Sequence, residues 1–383
     1  MSSILNVYNQ LDIEVSRAEG NYIWDTEGKK YIDFFSGISV TNLGHRPPEV
    51  IKAINGALSE YLHISNIFPE KNQKELAGVL TEKTIPGGKV FFSNSGAEAN
   101  ECAIKIARKY FEGEKFRIIT FKNSFHGRTL ATLAATGQRK VSKGFGPVVE
   151  GFEHLDFNFL ATVEEHITPE TAAIMIEPIQ GEGGINVASR EFMEGIRELC
   201  DQKGILLISD EIQTGMGRTG KFLGIDNYGI RADIVTMGKA LGGGLPLAAT
   251  VVSQKCTEVM KPGDHGSTFG GNPVSCAAAL ATVKALDEDM LETVRKKGKI
   301  FMEGLSGLVA LHETIKEVRG KGLMVGMELD FNGAGMTEYL LDDGFIANCT
   351  REKVIRFLPP FTIKESEIDS LISCIDKYFK ERG

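Results

Sequence analysis

Several features that mark other classes of protein are scarce in this sequence of 383 residues. No apolar run approaches the roughly 18 residues that a membrane helix requires, and the first residues lack the basic-then-apolar pattern of a signal peptide. The six cysteines are far apart, with no CxxC pair and no matching histidine spacing. We therefore expect a cytoplasmic protein with reduced thiols, no contact with a membrane and no metal site.

Charge and motif content exclude further classes of protein. The net charge is -8, and the chain has no cluster of basic residues, which argues against a nucleic-acid partner. No Gly-Lys pair is followed by Ser or Thr, and GxSxG and HExxH are absent, so P-loop, hydrolase and zinc-protease sites are not expected. A GxGxxG match at residues 215–220 leads into no helix and is a weak dinucleotide signal. Small anionic or zwitterionic ligands remain possible.

Apolar strands and amphipathic helices alternate along the chain from Val90 onward. This alternation predicts an α/β fold with a mainly parallel sheet. Residues 21–36 are predicted to form a hairpin that turns at residues 26–28. The charged helices and strands after residue 276 favour a second, smaller α+β lobe.

Two buried strands are predicted to deliver an acid and a lysine to one edge of this sheet. Asp210 follows the aliphatic run at residues 205–209, and Lys239 follows the run at residues 234–237. Open α/β sheets bind ligands at the carboxyl ends of their strands. A pyridoxal phosphate site needs such a pair, because the lysine bonds to the cofactor aldehyde and the acid pairs with the ring nitrogen. A surface ion pair is the alternative.

Two further segments fit the same interpretation. Gly96 and Ala97 lie between a predicted strand and a helix, where free amide groups bind phosphate, although an ordinary capped helix has the same pattern. Phe125 and Arg128 follow the next strand, so the ring could stack on a planar cofactor and the guanidinium could bind a carboxylate. A core phenylalanine and a solvated arginine are the alternative.

Acids, hydroxyls and an arginine occur in three later loops. Glu177 ends a strand and Glu182 lies in a glycine loop, and either could simply be solvated. Ser267 and Thr268 lie among glycines that permit a close approach to phosphate, although an ST-turn explains them as well. Arg356 lies in an apolar strand, where a buried guanidinium needs an anion, either a ligand or a structural partner.

Eight ordered motifs together resemble the class III (subgroup II) aminotransferases, over a stretch from about Gly20 to the C-terminus. The motifs are FSGISVTNLGH, FFSNSGAEAN, FHGRTLATLAATGQ, EPIQGEGG, DEIQTGMGRTG, GKALGGGLP, GSTFGGNPVSCAAA and IRFLPP. The resemblance implies the pyridoxal-phosphate-dependent transferase fold of type I, with a mainly parallel seven-stranded sheet in a large domain at residues 51–275. It also implies a smaller domain built from residues 1–50 and 276–383, and a homodimer with active sites at the interface.

The resemblance assigns the cofactor contacts residue by residue. Lys239 and Asp210 would be the catalytic pair, with Lys239 bonded to pyridoxal 5'-phosphate and Asp210 on its ring nitrogen. Gln213 would bind the ring hydroxyl. Gly96 and Ala97 would hold the phosphate, Phe125 would stack on the ring, and Thr268 would reach the phosphate from the other subunit.

The resemblance also assigns the substrate contacts. Arg128 would bind the carboxylate remote from the reacting amine, and Arg356 the α-carboxylate of glutamate. Ser267 would reach in from the other subunit and lie beside the substrate. Glu182 would pair with Arg356 when the amine substrate enters and release it for glutamate or 2-oxoglutarate.

The implied reaction moves the δ-amino group of N2-acetylornithine to 2-oxoglutarate. Alternatives are another ω-aminotransferase, acting on ornithine, succinylornithine or N-succinyl-diaminopimelate, and a pyridoxal phosphate aminomutase or racemase. The chain departs from the family in the loop SNIFPEKNQ, where Pro69 and Glu70 replace an aromatic residue and an asparagine. This loop bears on the choice of substrate.

Overall fold

The computed structural model describes residues 3–382 of the chain. Its strands are β1 (Val15–Glu19), β2 (Tyr22–Asp25), β3 (Lys30–Asp33), β4 (Lys89–Ser93), β5 (Arg117–Phe121), β6 (Phe152–Leu155), β7 (Thr171–Ile176), β8 (Ile179–Gln180), β9 (Asn186–Val187), β10 (Leu206–Asp210), β11 (Ile234–Met237), β12 (Ala248–Val252), β13 (Ile315–Lys321), β14 (Met324–Leu329), β15 (Phe345–Ile346), β16 (Asn348–Thr350) and β17 (Val354–Phe357).

The helices lie between these strands and at the end of the chain. They are α1 (Ser36–Ser39), α2 (Pro48–Leu58), α3 (Lys71–Lys83), α4 (Gly96–Tyr110), α5 (Leu130–Ala135), α6 (Arg139–Ser142), α7 (Leu160–His166), α8 (Arg190–Lys203), α9 (Pro273–Ala285), α10 (Glu288–Val309), α11 (Ala334–Asp342) and α12 (Glu365–Lys380). Short 3-10 turns cover Ile225–Tyr228, Lys239–Gly242 and Gln254–Cys256. Within residues 3–382, no helix has both the length and the apolar character needed to cross a membrane.

The large sheet has seven strands in the order β4-β12-β11-β10-β7-β5-β6, which confirms the predicted mainly parallel sheet. Only β12 runs against its neighbours β4 and β11. Both faces of the sheet are buried, because alternate residues of one strand enter different apolar clusters. In β10, for example, Leu207 packs in one cluster and Ile208 in the other.

One four-stranded sheet, β1-β2-β3-β15, combines the beginning and the end of the chain, and a second is built from C-terminal strands alone. The predicted N-terminal hairpin is present as antiparallel β2 and β3, with Gly28 at φ 86° in the turn. Strand β15 joins β3 in parallel, and β13, β14, β17 and β16 form the other sheet. The domain limits at residues 1–50, 51–275 and 276–383 stay predictions, and residues 1, 2 and 383 lie outside the described part.

The topology brings the carboxyl ends of six strands to one edge of the large sheet, and five of these strands directly precede candidate site residues. Strands β4, β5, β7, β10 and β11 all point the same way, since β12 is antiparallel to both β4 and β11. The segments that follow these strands carry most of the candidate site residues. This edge is where open α/β sheets bind their ligands.

The apolar core predicts the effect of one truncation in α3. Leu80 is completely buried, whereas Leu311 is 67% exposed. Leu80→Ala should lower the stability of the protein by about 2–5 kcal/mol, because it leaves a cavity in a close-packed core. The matched change Leu311→Ala should alter it by no more than about 0.5 kcal/mol. The urea midpoints of both variants test this, and equal shifts would contradict the assigned core.

Candidate active site

A cavity of about 250 Å³ opens at this edge of the large sheet. Its lining residues are Gly96, Ala97, Phe125, His126, Gly127, Arg128, Glu177, Glu182, Asp210, Ile212, Gln213 and Lys239. Most of the residues proposed from the sequence are therefore brought together by the fold. Arg356, Ser267 and Thr268 are not among the lining residues.

Asp210 is the last residue of β10 and is only 3% exposed. Its Oδ2 accepts hydrogen bonds from Asn100 Nδ2 and His126 Nδ1, each at 2.8 Å. Its Oδ1 accepts one from the Ile212 amide at 3.1 Å. These donors satisfy a buried carboxylate and fix its direction.

Sequence reasoning missed two of these donors. Neither His126 nor Asn100 is among the residues that the sequence predicts for this site. Asn100 lies one turn beyond Gly96 in α4, and its Nδ2 also donates to the His126 carbonyl at 2.7 Å. Asn100 could have been found from the sequence as a polar residue on the buried face of this helix, since a buried amide requires hydrogen-bond partners.

Lys239 follows β11 after a single glycine, Gly238, and has a φ of 48°. A positive φ is uncommon outside glycine and marks a constrained position. Burial lowers the pKa of the Lys239 ammonium to about 8, although the negative charge of Glu182 opposes this shift. Within residues 3–382, the Lys239 side chain makes no hydrogen bond. It is therefore free to react with a ligand in the cavity.

An ion pair lies beside the lysine. Arg356 on β17 has a side chain that is 1% exposed, and its Nη1 lies 2.5 Å from Glu182 Oε1. Burial would raise the pKa of Glu182, but the positive charges of Arg356 and Lys239 lower it to about 2. The anion that a buried Arg356 requires is therefore Glu182.

Gln213 connects the two members of this ion pair. Its Nε2 donates to Glu182 Oε1 at 3.2 Å, and its Oε1 accepts from Arg356 Nη1 at 3.2 Å. A Cβ at Gly181 would lie 2.1 Å from Gln213 Oε1. The absence of a side chain at position 181 therefore allows the amide to reach the ion pair.

Glu177 follows β7 and is 6% exposed. Its Oε2 accepts a hydrogen bond from the Phe125 amide at 3.1 Å. Burial raises the pKa of Glu177 well above its usual range, and the negative charge of Asp210 adds to the shift. Glu177 is thus not one of the solvated loop acids that its sequence also allowed.

Phe125 and Arg128 lie at the outer part of the cavity. Arg128 is exposed, and its guanidinium carbon lies 5.5 Å from the centroid of the Phe125 ring. The aromatic ring gives the cavity an apolar wall, and the guanidinium is available to a carboxylate at its mouth.

The N-terminus of α4 forms another wall. Ser95 caps this helix through a capping box with Glu98, so the ordinary capped helix that the sequence also allowed is present. The amides of Gly96 and Ala97 still lack a partner within the helix, as the first amides of any helix do. The helix N-terminus therefore combines a structural cap with an anion-binding surface.

Ser267 and Thr268 lie in a loop away from this cavity. Ser267 Oγ accepts hydrogen bonds from Asn94 Nδ2 at 3.2 Å and from the Gly270 amide at 2.9 Å. Thr268 is exposed. A single chain does not bring either hydroxyl to the cavity, so their contact with a cofactor or substrate in another subunit stays a prediction.

Glu70, in the loop that departs from the family pattern, is the N-cap of α3. Its carboxylate accepts hydrogen bonds from the Gln73 amide at 2.7 Å and from the Tyr61 hydroxyl at 3.1 Å. The side chain is almost fully buried. The departure at this position therefore serves the helix start rather than the cavity.

Comparison with known proteins agrees with this geometry. The family model described as aminotransferase class-III matches residues 5–379. The chain is 47% identical to the acetylornithine aminotransferase of Methanocaldococcus jannaschii, over 98% of this chain and 96% of the relative. It is similar to the solved acetylornithine aminotransferase of Elizabethkingia anophelis, with a TM-score of 0.89, 34% identity, and 98% and 96% of the two chains covered.

A solved ornithine aminotransferase from Toxoplasma gondii is also similar, with a TM-score of 0.94 and 34% identity, covering 99% of this chain and 92% of that one. That structure is described as having partial occupancy of pyridoxal phosphate at its active site. A match of the family model along almost the whole chain, together with a relative at this level of identity, establishes the family. The chain belongs to the class-III aminotransferases.

Proposed function

We propose that this protein transfers the δ-amino group of N2-acetylornithine to 2-oxoglutarate, giving N-acetylglutamate 5-semialdehyde and glutamate in arginine biosynthesis. The observation that carries the proposal is the Glu182–Arg356 pair beside Lys239. A site that alternates between an amine substrate and glutamate needs a cation that is exposed for one substrate and neutralised for the other. The name of the Methanocaldococcus jannaschii relative supports acetylornithine as the amine substrate.

The residues of the cavity fit pyridoxal 5'-phosphate, the cofactor of this class. Asp210 has a fixed carboxylate for the ring nitrogen, and Lys239 has an unbonded amine for the aldehyde. The amides of Gly96 and Ala97 suit the phosphate, and the Phe125 ring lies at the cavity wall to cover one face. When bound, the cofactor withdraws electrons from the substrate carbon that loses a proton.

Lys239 is the residue that handles this proton. Because its pKa is about 8, about a tenth of the amine is uncharged at pH 7, far more than for an ordinary lysine, which suits both a nucleophile and a base. With the cofactor bound, Nζ would accept the proton from the substrate carbon, hold it and release it again to complete the transfer of the amino group. An ordinary lysine would hold its proton too tightly at neutral pH to do this.

Arg356 and Glu182 let one site accept two substrates. Arg356 binds the α-carboxylate of glutamate or 2-oxoglutarate once Glu182 moves away. With the amine substrate, Glu182 stays on Arg356 and no unpaired cation is left buried. Gln213 keeps its contact with Arg356 in both states. Arg128, near the mouth of the cavity, binds the carboxylate remote from the reacting amine.

The enzyme acts as a homodimer in this proposal. Ser267 and Thr268 are outside the cavity of their own chain, so only a second copy gives them the predicted contacts. Large apolar side chains are exposed in the same region, among them Ile67 at 84%, Phe68 at 62% and Phe269 at 59%. The cytoplasmic location predicted from the sequence belongs to the same proposal, and the six unpaired cysteines fit a reducing compartment.

The first half-reaction identifies the amine substrate. We expect the absorption of the enzyme-bound cofactor to change fastest with N2-acetylornithine and glutamate, and more slowly with ornithine and N-succinyl-diaminopimelate. Single-turnover absorption measurements on the purified holoenzyme test this. Lys239→Ala is the control, because it should retain some cofactor through the phosphate contacts but lose turnover.

The same measurement separates the alternatives. Faster reaction with ornithine would favour the activity named for the Toxoplasma gondii structure. Interconversion of a substrate without consumption of 2-oxoglutarate would point to an aminomutase. Full activity of Lys239→Ala would contradict the proposed chemistry altogether.

Glu182→Gln should affect the two half-reactions unequally. The amide keeps the shape of the side chain but cannot neutralise Arg356, so the reaction with N2-acetylornithine should slow by about tenfold or more, equivalent to about 1.4 kcal/mol. The reaction with glutamate, which needs Arg356 released, should change less. Glu182→Asp retains the charge and is the control. Equal losses in both half-reactions would argue against an exchange of partners at Arg356.

The lowered pKa of Lys239 predicts how its rate of chemical modification depends on pH. Acetylation of Lys239 in the cofactor-free protein should increase with pH around a midpoint of about 8, because only the uncharged amine reacts. Ordinary exposed lysines in the same sample should require a pH above about 10. Arg356→Met removes a neighbouring positive charge and should move the midpoint upward. Peptide mass spectrometry after brief labelling measures both, and an unchanged midpoint would exclude Arg356 as a cause.

A further inference from the structure

Arg218 is a completely buried arginine in the loop between β10 and the turn at Ile225–Tyr228. In the part of the chain that the structure describes, its guanidinium makes no ion pair. Its partners are uncharged oxygens. The negative charge of Asp33 acts on the guanidinium without direct contact, but burial outweighs it and lowers the pKa of Arg218 to about 9. A buried guanidinium with no carboxylate in direct contact is costly, and an apolar side chain of similar volume would often stabilise a fold as well. The stability of the fold alone therefore does not account for Arg218.

The guanidinium connects three separate parts of the chain. Its Nε donates to Ser39 Oγ at 2.9 Å, and its Nη2 donates to Asn42 Oδ1 in the N-terminal segment. Its Nη1 donates to the carbonyls of Leu323 at 3.0 Å and Pro359 at 2.7 Å in the C-terminal segment. The third part is the loop after Asp210, to which Arg218 itself belongs.

These contacts lead directly to the candidate active site. The Ser39 hydroxyl accepts from Arg218 Nε and has two acceptors within reach of its single proton, Asn42 Oδ1 at 3.1 Å and the backbone carbonyl oxygen of Gln213 at 3.4 Å. Pro359 follows Arg356 by three residues in the same chain segment. The Gln213 side chain in turn contacts Arg356 at 3.2 Å. The backbone of Gln213 and the segment of Arg356 are thus connected from two sides.

We propose that Arg218 is a positioning residue for the site that binds the α-carboxylate of glutamate and 2-oxoglutarate. It holds the backbone of Gln213, through Ser39, at a fixed distance from the segment that carries Arg356. Arg356 then meets the amide of Gln213 in the geometry needed when Glu182 leaves. The inference rests on the proposed function, because it takes Arg356 as the ligand of that carboxylate.

The geometry suits an arginine in particular. Donors on Nε, Nη1 and Nη2 spread over the planar group reach four oxygens at once, which an ammonium on a flexible stem does not. The ring of Phe361 lies against the group, with its centroid 4.9 Å from the guanidinium carbon. Packing and hydrogen bonds together hold the Arg218 side chain in a single conformation.

Ser39→Ala is the sharpest test, because it removes the hydroxyl between Arg218 and Gln213, together with its contact with Asn42 Oδ1. The direct contacts of Arg218 with Asn42, Leu323 and Pro359 stay in place. We expect the dissociation constant for 2-oxoglutarate, and the apparent one for glutamate in single turnover, to rise about three- to tenfold. The half-reaction with N2-acetylornithine should change by less than about twofold. Ser253→Ala, which removes a hydroxyl that contacts neither Arg218 nor Gln213, is the matched control and should change neither.

Arg218→Lys extends the test. It should weaken 2-oxoglutarate binding more than Ser39→Ala does and should also lower the thermal midpoint, since one ammonium cannot replace the four contacts. Equal effects on both half-reactions, or a lower midpoint with unchanged 2-oxoglutarate binding, would overturn the positioning role. A wild-type enzyme that reacts with N2-acetylornithine but not with glutamate would overturn the proposed function as well, which distinguishes the two failures.

Discussion

The two hydrogen bonds to Asp210 Oδ2 are the constraint on which the rest of the site depends. A carboxylate that is 3% exposed is stable only when its oxygens are bonded, and here the donors come from α4 and from the segment after β5. The same two segments supply Ala97 and Phe125. Holding Asp210 therefore also sets where the helix N-terminus and the aromatic wall lie relative to the end of β10.

The three carboxylates of the cavity each have different neighbours. Asp210 accepts hydrogen bonds from Asn100, His126 and the Ile212 amide, whereas Glu182 lies 2.5 Å from the permanent positive charge of Arg356. Glu177 lies beside Asp210, and its pKa is raised rather than lowered. Glu182 and Glu177 thus have different affinities for a proton within one small space, as active sites commonly show. Lys239 lies among them, and its amine forms no hydrogen bond with any of residues 3–382.

The sequence predicted the parts of the site that depend on local order. Strand ends follow from short aliphatic runs, so Asp210, Lys239 and Glu177 could be placed on one edge without a structure. The contacts of His126 and Asn100 with Asp210 could not be predicted, because they join segments far apart in the chain and no periodic pattern records them. The contacts of Arg218 could not be predicted for a similar reason. Its motif looked like a failed dinucleotide signal, while its four partners lie near both ends of the chain.

The antiparallel strand in the large sheet has a consequence for how the protein folds during synthesis. Strand β4 pairs with β12 alone, so Lys89–Ser93 has no neighbour in the sheet until Ala248–Val252 has left the ribosome. Gly96 directly follows β4, and Lys239 directly precedes the turn into β12. Contacts of such high sequence separation form late and slowly. A nascent chain therefore completes its cofactor pocket only after about two thirds of it has been made, and until then the pocket gains no stability from ligand binding.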